Sequence, residues 1–224
     1  MKKLQTLLVA FILIMQNSYS QTHLKVKKSN IKKSPLSEFS TKWDDIFFYK
    51  CNTAENTNYL SLEERNIIFI INLVRTNPAA FANTVLLNPV SSFFKKAESR
   101  NSYENSLIET LIKMKPYGQL LYPDSVLYKF AKCHAINSGI RGYVGHDRKV
   151  TDCATDSHFA ECCSYGESKA IEILLLLLID KNIIGLGHRL VILDLDYSRI
   201  GVSIQPHINY EFNAVLDFKN DSQF

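Results

Sequence analysis

Apolar residues recur at helical spacing directly after Ser61. Ser61 and Glu64 match the capping-box pattern that begins many helices. The positions that follow carry a broad apolar surface made of Ile67, Ile68, Ile70, Ile71, Leu73 and Val74. A surface this wide predicts a buried helix. We expect the helix to end or bend at Pro78, because proline cannot continue the backbone hydrogen-bond pattern.

The same spacing predicts two further helices. One covers Tyr103 to Lys115 and stops before Pro116. The other opens near Pro123 and Asp124, and Gly139 is its expected end. Proline near the start and glycine at the end are typical of helices. We expect both helices to contribute residues to the core.

The most apolar stretch lies within residues 168–182. It contains five consecutive leucines, Leu174 to Leu178, with isoleucines on both sides. A run that is apolar on every side belongs in a protein interior. It is shorter than the ~20 residues that a bilayer-spanning helix needs, and Glu172 and Asp180 bracket it.

Near the end of the chain the hydrophobic period changes to two. Ile200, Val202 and Ile204 alternate with other residues, and so do the apolar residues of 212–218. Alternation predicts two strands, which we expect to pair in antiparallel fashion. Helices first and strands last predict an α+β fold rather than a doubly wound one.

The first twenty residues have the organisation of a secretory signal peptide. Lys2 and Lys3 precede an apolar run from Leu4 to Met15, and we expect cleavage after Ser20. A membrane anchor is the alternative, but the run is shorter than the ~20 residues that cross a bilayer. The sequence therefore predicts a secreted or periplasmic protein without a transmembrane anchor in its mature form.

Behind the signal peptide we expect a polar, lysine-rich tail or linker over residues 21–58 and one folded domain over residues 59–224. The linker contains an aromatic island that can dock on the domain, formed by Trp43, Ile46, Phe47, Phe48 and Tyr49. The formal charge of +4 falls by two when Lys2 and Lys3 leave with the signal peptide. A charge this small does not indicate a nucleic-acid partner.

All five cysteines lie beyond the signal peptide and would meet oxidising conditions after export. The odd number leaves at least one thiol free. We expect Cys153 to bridge to Cys162 or Cys163, because these two neighbours do not readily bond to each other. Cys51 is the best candidate for the free thiol, since we expect it to lie outside the domain core.

Four short stretches hold the candidate polar groups: residues 145–148, 160–166, 177–180 and 185–189. A histidine in any one of them is more often a hydrogen-bonding residue than a ligand. Together, the stretches stand in an ordered series that ends with Gly187-His188-Arg189, then Ile192-Leu193, and then Tyr197-Ser198-Arg199-Ile200-Gly201-Val202.

In the order and spacing of these motifs the chain resembles the CAP superfamily of cysteine-rich secretory proteins, antigen 5 and pathogenesis-related proteins, especially its bacterial SCP-domain members. The resemblance runs from about Leu60 to Phe218, and its earlier matches are Ile71 to Pro78 and Leu121 to Asp124. It implies an α+β fold in the form of a three-layer α-β-α sandwich, with a small, mostly antiparallel sheet flanked by helices.

The resemblance also implies a cleft lined by two histidines and two acids, which in some members binds a divalent cation such as Zn²⁺. By this resemblance His146 and His188 are the metal ligands, and Glu161 and Asp180 are the cleft acids. The chain departs from the family pattern at both acids. Glu161 stands in Ala-Glu-Cys where Gly-Glu-Asn is usual, and the second acid is Asp rather than Glu. Glu167 is a competing match for the first acid.

Such a cluster allows three interpretations. It can be a hydrogen-bonded polar cluster without metal, a metal-dependent binding site, or the centre of a metal-assisted peptidase or esterase. Two imidazoles can bind zinc through one nitrogen each, while carboxylates complete the shell, orient the rings or hold a water. Zinc enzymes generally use three protein ligands, and the chain has neither a GxSxG nor an HExxH motif. The family resemblance implies a non-enzymatic binding module for a lipid-like or cell-envelope ligand, and we keep the metal-assisted hydrolase as the alternative.

Overall fold

The structure is a computed structural model that describes residues 33–88, 100–148, 153 and 160–221. The predicted signal peptide and its cleavage after Ser20 lie outside these residues. Within them the chain forms helices and a sheet, so the α+β prediction is confirmed. The helices are α1 (Ile46–Tyr49), α2 (Leu62–Thr76), α3 (Pro78–Phe81), α4 (Ser102–Lys113), α5 (Ser125–Arg141), α6 (Ala170–Ile179) and α7 (Gly187–Leu193). The strands are β1 (Tyr122–Pro123), β2 (Ala160–Tyr165), β3 (Arg199–His207) and β4 (Glu211–Lys219).

The four described strands form one sheet in the order β1-β3-β4-β2. Strands β3 and β4 pair in antiparallel fashion with Val202 opposite Leu216, which confirms the predicted pair of C-terminal strands. Strand β2 is antiparallel to β4 with Cys162 opposite Leu216. The two-residue strand β1 is parallel to β3. The sheet is therefore mixed and mostly antiparallel, and β2 lies at one of its edges.

Helices cover both faces of the sheet, because alternate residues of a strand point to opposite faces. Leu216 and Phe218 of β4 belong to the large core cluster that contains the apolar residues of α2 and α6. Val215, the residue before Leu216, points to the opposite face and packs with Ala131 and Ala135 of α5. The leucine-rich helix is buried as predicted, except for Leu176 on its outer side.

The predicted helix starts are present in the structure. The Glu64 carboxylate accepts a hydrogen bond from Ser61 N at 2.7 Å, and the Ser61 hydroxyl accepts one from Glu64 N at 3.3 Å. Asp124 caps α5 by accepting from the first backbone N–H groups of that helix. The predicted stop at Gly139 is wrong, because α5 continues to Arg141 and ends where Gly142 adopts a φ of 72°.

Close backbone contact, rather than helix termination, explains Gly139. A Cβ atom there would lie 2.1 Å from Pro206 O of β3. Gly201 of β3 meets α5 in the same way, since its Cβ would lie 2.2 Å from both Leu127 C and Tyr128 N. The two glycines allow α5 to pack directly on the backbone of β3.

We expect Gly201→Ala to lower the free energy of unfolding by about 3 kcal/mol, because a methyl group would push helix backbone away from the strand. Gly118→Ala is the matched control, since a Cβ at Gly118 meets nothing within 4 Å. Urea unfolding followed by circular dichroism measures both changes. Equal stability of the two variants would contradict the close packing of α5 on β3.

The described part of the predicted linker, residues 33–58, packs on the domain. Trp43 and Phe48 of the aromatic island are buried, whereas Ile46 and Phe47 are exposed. The Trp43 indole donates a hydrogen bond to Thr84 Oγ1 at 2.9 Å. This segment therefore contributes residues to the same hydrophobic core as the later helices.

The predicted disulfide pairing needs a correction. Cys153 bonds to Cys133 of α5, not to Cys162 or Cys163. Those two cysteines are free and buried, and they stand on β2, where consecutive side chains point to opposite faces of the sheet. Cys51 is free, as predicted, but the reason was wrong because its side chain is fully buried in the core.

Candidate functional site

Four polar side chains meet at the β2 edge of the sheet. His146 follows α5, Glu161 stands on β2, Asp180 ends α6 and His188 lies in the first turn of α7. His146 Nδ1 is 2.9 Å from Glu161 Oε1, and His188 Nδ1 is 2.8 Å from Asp180 Oδ1. The centres of the two imidazole rings are 6.1 Å apart. The fold thus brings together the four residues selected from the sequence.

The turn between α6 and α7 aims Asp180 at His188. Asp180 adopts a left-handed backbone conformation with φ 56° and caps α6. Its Oδ2 atom accepts a hydrogen bond from Arg189 N at 3.2 Å, which fixes the carboxylate beside the first turn of α7. Gly185 and Leu186 both have positive φ and make the return of the chain.

Arg189 belongs to the Gly187-His188-Arg189 motif but was not among the predicted site residues, and it is a structural residue of this turn. Its guanidinium donates to Leu178 O at 2.6 Å and to Ile179 O at 2.9 Å. These carbonyls belong to the last turn of α6, where no later N–H of the helix satisfies them. Arg189 therefore links the end of α6 to α7 and holds Asp180 and His188 in register.

Each imidazole presents Nδ1 to a carboxylate. When the ring proton is on Nδ1, the Nδ1–H group donates a hydrogen bond to the carboxylate. Nε2 then keeps a free lone pair that can bind a metal. The two acids are nearly inaccessible, with 9% of the Glu161 side chain and 1% of the Asp180 side chain exposed. The side chain of His146 is 56% exposed and that of His188 is 17% exposed. The carboxylates thus lie on the buried side of the imidazoles, where they can fix the orientation of the rings.

The spacing of the two rings fits a shared ion. A zinc–nitrogen bond is about 2 Å long and the ring centre lies roughly 1.2 Å beyond the nitrogen, so two rings on a tetrahedral zinc have their centres roughly 5 to 5.5 Å apart. The observed 6.1 Å is within about 1 Å of this range, so a small shift of the exposed His146 side chain would let both rings reach one ion. His146 and His188 could therefore supply two ligands to one Zn²⁺ ion, and Glu161 and Asp180 would act as the outer partners that fix the ring orientation.

Arg148 was not among the predicted site residues, although it lies two positions after His146. Its guanidinium forms a hydrogen bond with Glu161 Oε2, contacts both oxygens of Asp217 at 3.0 to 3.1 Å and donates to Phe130 O at 2.8 Å. Burial alone would raise the pKa of Glu161, but the hydrogen bond with His146 and the charge of Arg148 outweigh it, and the pKa is lowered. Glu161 is therefore a carboxylate at neutral pH.

Asp217 lies behind Arg148 and is fully buried. Burial and the neighbouring Glu161 raise the pKa of Asp217 well above its ordinary value, against the lowering effect of Arg148. Arg148 thus bridges two acids of unequal proton affinity. This bridge fixes Glu161 Oε2 and leaves Oε1 facing His146.

Two further polar groups lie on the inner side of Glu161. Cys163 Sγ is 3.5 Å from Glu161 Oε1 and 3.8 Å from His146 Nδ1. His134 is buried in α5, and its Nε2 lies 3.0 Å from Gly145 O. Burial and the charge of Glu161 raise the pKa of Cys163 well above its ordinary value. Without a metal, Cys163 is a neutral thiol, which does not favour a role as a nucleophile.

We expect His146 to titrate above pH 6.5 in metal-free protein, because its hydrogen bond with Glu161 raises its pKa more than burial lowers it. The interaction of charged His146 with Glu161 then stabilises the fold fully below pH 6.5, and this stability is lost as the pH rises through the raised pKa.

An NMR titration of the imidazole signals measures this pKa. Glu161→Gln should bring the pKa of His146 down, and Glu109→Gln, at an exposed pair with Lys113, should leave it unchanged. A His146 pKa that does not respond to Glu161→Gln would contradict the assigned hydrogen bond.

Comparison with known proteins assigns no family to this chain. No protein-family model matches the chain, and no curated protein matches it either. Within the described ranges, no helix has the length and apolar character needed to cross a membrane.

Proposed function

We propose that the protein is an exported binding module of the CAP type, whose cleft binds a divalent cation through His146 and His188 together with a lipid-like or cell-envelope ligand. The observation that carries this proposal is the pair of carboxylate-oriented imidazoles with ring centres 6.1 Å apart. Zn²⁺ is the expected ion, since neutral imidazole suits it and both rings have an outer partner.

Two features support the CAP-type assignment. The motifs of the C-terminal half stand in the family order, and the chain has a mixed fold with helices on both faces of a small sheet. This arrangement is the one expected of a three-layer α-β-α sandwich. The disulfide Cys133–Cys153 supports export, because disulfides persist in oxidising compartments.

The occupied hydrogen-bonding positions of the two acids favour binding over hydrolysis. Glu161 contacts His146 and Arg148, and Asp180 contacts His188 and Arg189 N. Each carboxylate already orients one imidazole, so we expect neither to supply a third ligand to an ion held between His146 and His188, or the separate general base that zinc hydrolases need. The geometry of the cleft therefore favours metal-dependent binding of a ligand over activation of a water molecule for hydrolysis.

Apolar residues near the cleft support a lipid-like ligand. Ile184, in the turn that precedes His188, is 100% exposed, and Leu190 of α7 is also exposed. Exposed aliphatic side chains are an unfavourable surface in water and a favourable one for acyl chains. Both residues lie within four positions of His188 in the chain, so one ligand could contact both the metal and these apolar side chains.

Metal-stripped protein with and without added Zn²⁺ tests the proposal. We expect a fluorescent fatty acid to bind more tightly when zinc is present, with no turnover of ester, peptide or glycan substrates. Ile184→Ser should weaken fatty-acid binding and leave zinc affinity unchanged, and Ile112→Ser, at an exposed site on α4, is the matched control. Zinc-dependent turnover of a substrate would instead establish a hydrolase function. Equal fatty-acid affinity with and without zinc would contradict metal-dependent binding.

A further inference from the structure

A second set of potential metal ligands lies deeper than the cleft, on the inner side of Glu161. It consists of Cys163 on β2, His134 on α5 and Glu161 itself, whose ligand atoms all lie within 4.8 Å of one another. Cys163 Sγ is 3.5 Å from Glu161 Oε1, and His134 Nε2 is 3.9 Å from the same oxygen.

These separations are close to those of a bound ion. Zinc bonds are about 2.0 Å to nitrogen and oxygen and about 2.3 Å to sulfur, so the ligand atoms of a tetrahedral site are roughly 3.3 to 3.8 Å apart. Side-chain shifts of about 1 Å or less would bring all three atoms to bonding distance. The set needs no rearrangement of α5 or β2.

The surroundings leave the required atoms available. Arg148 holds Glu161 through Oε2, so Oε1 is the oxygen that faces Cys163. His134 Nδ1 is buried without a hydrogen-bond partner in the described part of the chain. Moving the ring proton from Nε2 to Nδ1 would break no Nδ1 hydrogen bond, but it would give up the hydrogen bond from Nε2 to Gly145 O. A bond from Nε2 to the ion would take its place.

His146 stands between this inner set and solvent. Its Nδ1 atom is 3.8 Å from Cys163 Sγ and 2.9 Å from Glu161 Oε1, which makes it the nearest candidate for a fourth ligand. The inner three side chains are almost entirely buried, whereas His146 is partly exposed. An ion would therefore enter past His146.

We propose that Cys163, Glu161 and His134 form a second metal site, specific for thiophilic ions such as Zn²⁺, Co²⁺ and Cd²⁺. A thiolate selects these ions over Mg²⁺ and Ca²⁺, which prefer oxygen ligands. On binding, the Cys163 thiol releases its proton to solvent and the sulfur bonds to the ion, with no change of oxidation state. The site goes beyond the proposed function, because it uses neither His188 nor Asp180.

Cobalt is the probe that distinguishes the two sites. We expect Co²⁺ added to the metal-stripped full chain, in oxygen-free buffer, to produce a sulfur-to-cobalt charge-transfer band in the near ultraviolet. Cys163→Ser should abolish the band. Cys162→Ser, a buried thiol on the opposite face of the same strand, and His188→Ala, in the cleft, should both retain it.

His134→Gln should weaken cobalt binding at the inner site by at least about tenfold, since the loss of even an outer partner costs that much. If Cys163→Ser does not fold, a band retained in Cys162→Ser and His188→Ala still supports the inner site, and the absence of a band in the wild type would overturn it. Cobalt bound without a charge-transfer band, or a band that survives Cys163→Ser, would overturn the inner site. If His188→Ala loses the metal affinity of the cleft but keeps the charge-transfer band, the inner set is supported as a separate site.

Discussion

Arg75→Leu is expected to lower the free energy of unfolding by about 3 kcal/mol or more. Arg75 lies in α2 with its side chain fully buried, and its guanidinium donates to Ile192 O, Asp194 O and Tyr197 O at 2.9, 2.6 and 3.0 Å. Leucine would leave three carbonyl groups without their donor, each at a cost of about 1 kcal/mol or more. Ile192 O belongs to the end of α7, and the other two carbonyls belong to the segment between α7 and β3. The substitution would therefore also remove the hydrogen bonds that hold α7 against α2.

Burial lowers the pKa of Arg75 to about 10, so the guanidinium remains charged at neutral pH. Arg65→Leu is the matched control on the same helix, because Arg65 donates one hydrogen bond, to Glu55 O at 3.0 Å. We expect the control to cost about 1 kcal/mol. Urea unfolding of the oxidised protein measures both, and equal losses in the two variants would contradict the role assigned to Arg75.

Helix starts and the C-terminal strands could be predicted because their signals are local. The capping box of Ser61 and Glu64 is contained in four residues. The alternation of Ile200, Val202 and Ile204 indicates a strand and selects the side chains that face the large core. Strand β2 carries no such signal. It is a strand because it pairs with β4, some fifty residues later, and such a contact cannot be read from its own residues.

Gly139 shows how one residue type can mislead. Glycine ends many helices because it tolerates a positive φ, and on this ground the sequence predicts a stop. In the structure Gly139 is helical, and its missing side chain lets Pro206 O approach. The local conformational preference of glycine and its small size predict different roles, and only the position of β3 decides between them.

Cysteine pairing failed for a related reason. Closeness in sequence favoured Cys162 and Cys163 as partners of Cys153, but a disulfide requires the two Cα atoms to be close in space. Helix α5 brings Cys133 to a Cα separation of 5.4 Å from Cys153, across a sequence distance of 20 residues. Whether Cys133 faces Cys153 depends on how α5 packs on β3, and this packing cannot be read from the spacing of the cysteines.

The four cleft residues could be selected from motif order, and their neighbours could not. His146, Glu161, Asp180 and His188 stand in recognisable stretches, and the structure brings them to one edge of the sheet. The role of Cys163 depends on the strand face that it shares with Glu161, because side chains two positions apart on a strand point the same way. The sequence shows that a cysteine stands at this position, but it does not show which face of the sheet the Cys163 side chain occupies.

Zinc affinity of the cleft is the second large effect that we expect. His188→Ala should lower the affinity by about 100-fold or more, because one of two imidazole ligands is lost. Asp180→Asn should lower it by about 10- to 100-fold, because the His188 ring loses the carboxylate that fixes its orientation. Glu167→Gln is the control, since Glu167 is the competing match to the family motif and contacts Glu172 rather than the cleft.

Calorimetric titration of zinc into metal-stripped Cys163→Ser protein tests the cleft most directly, because this background removes the thiolate of the inner site. We expect one ion to bind, with affinity lost in both His146→Ala and His188→Ala made in the same background. Binding should also weaken as the pH falls through the raised pKa of His146, since protons compete with the ion for the imidazole. Unchanged zinc affinity in both histidine variants would contradict the shared site and leave His146 and His188 as members of a hydrogen-bonded polar cluster.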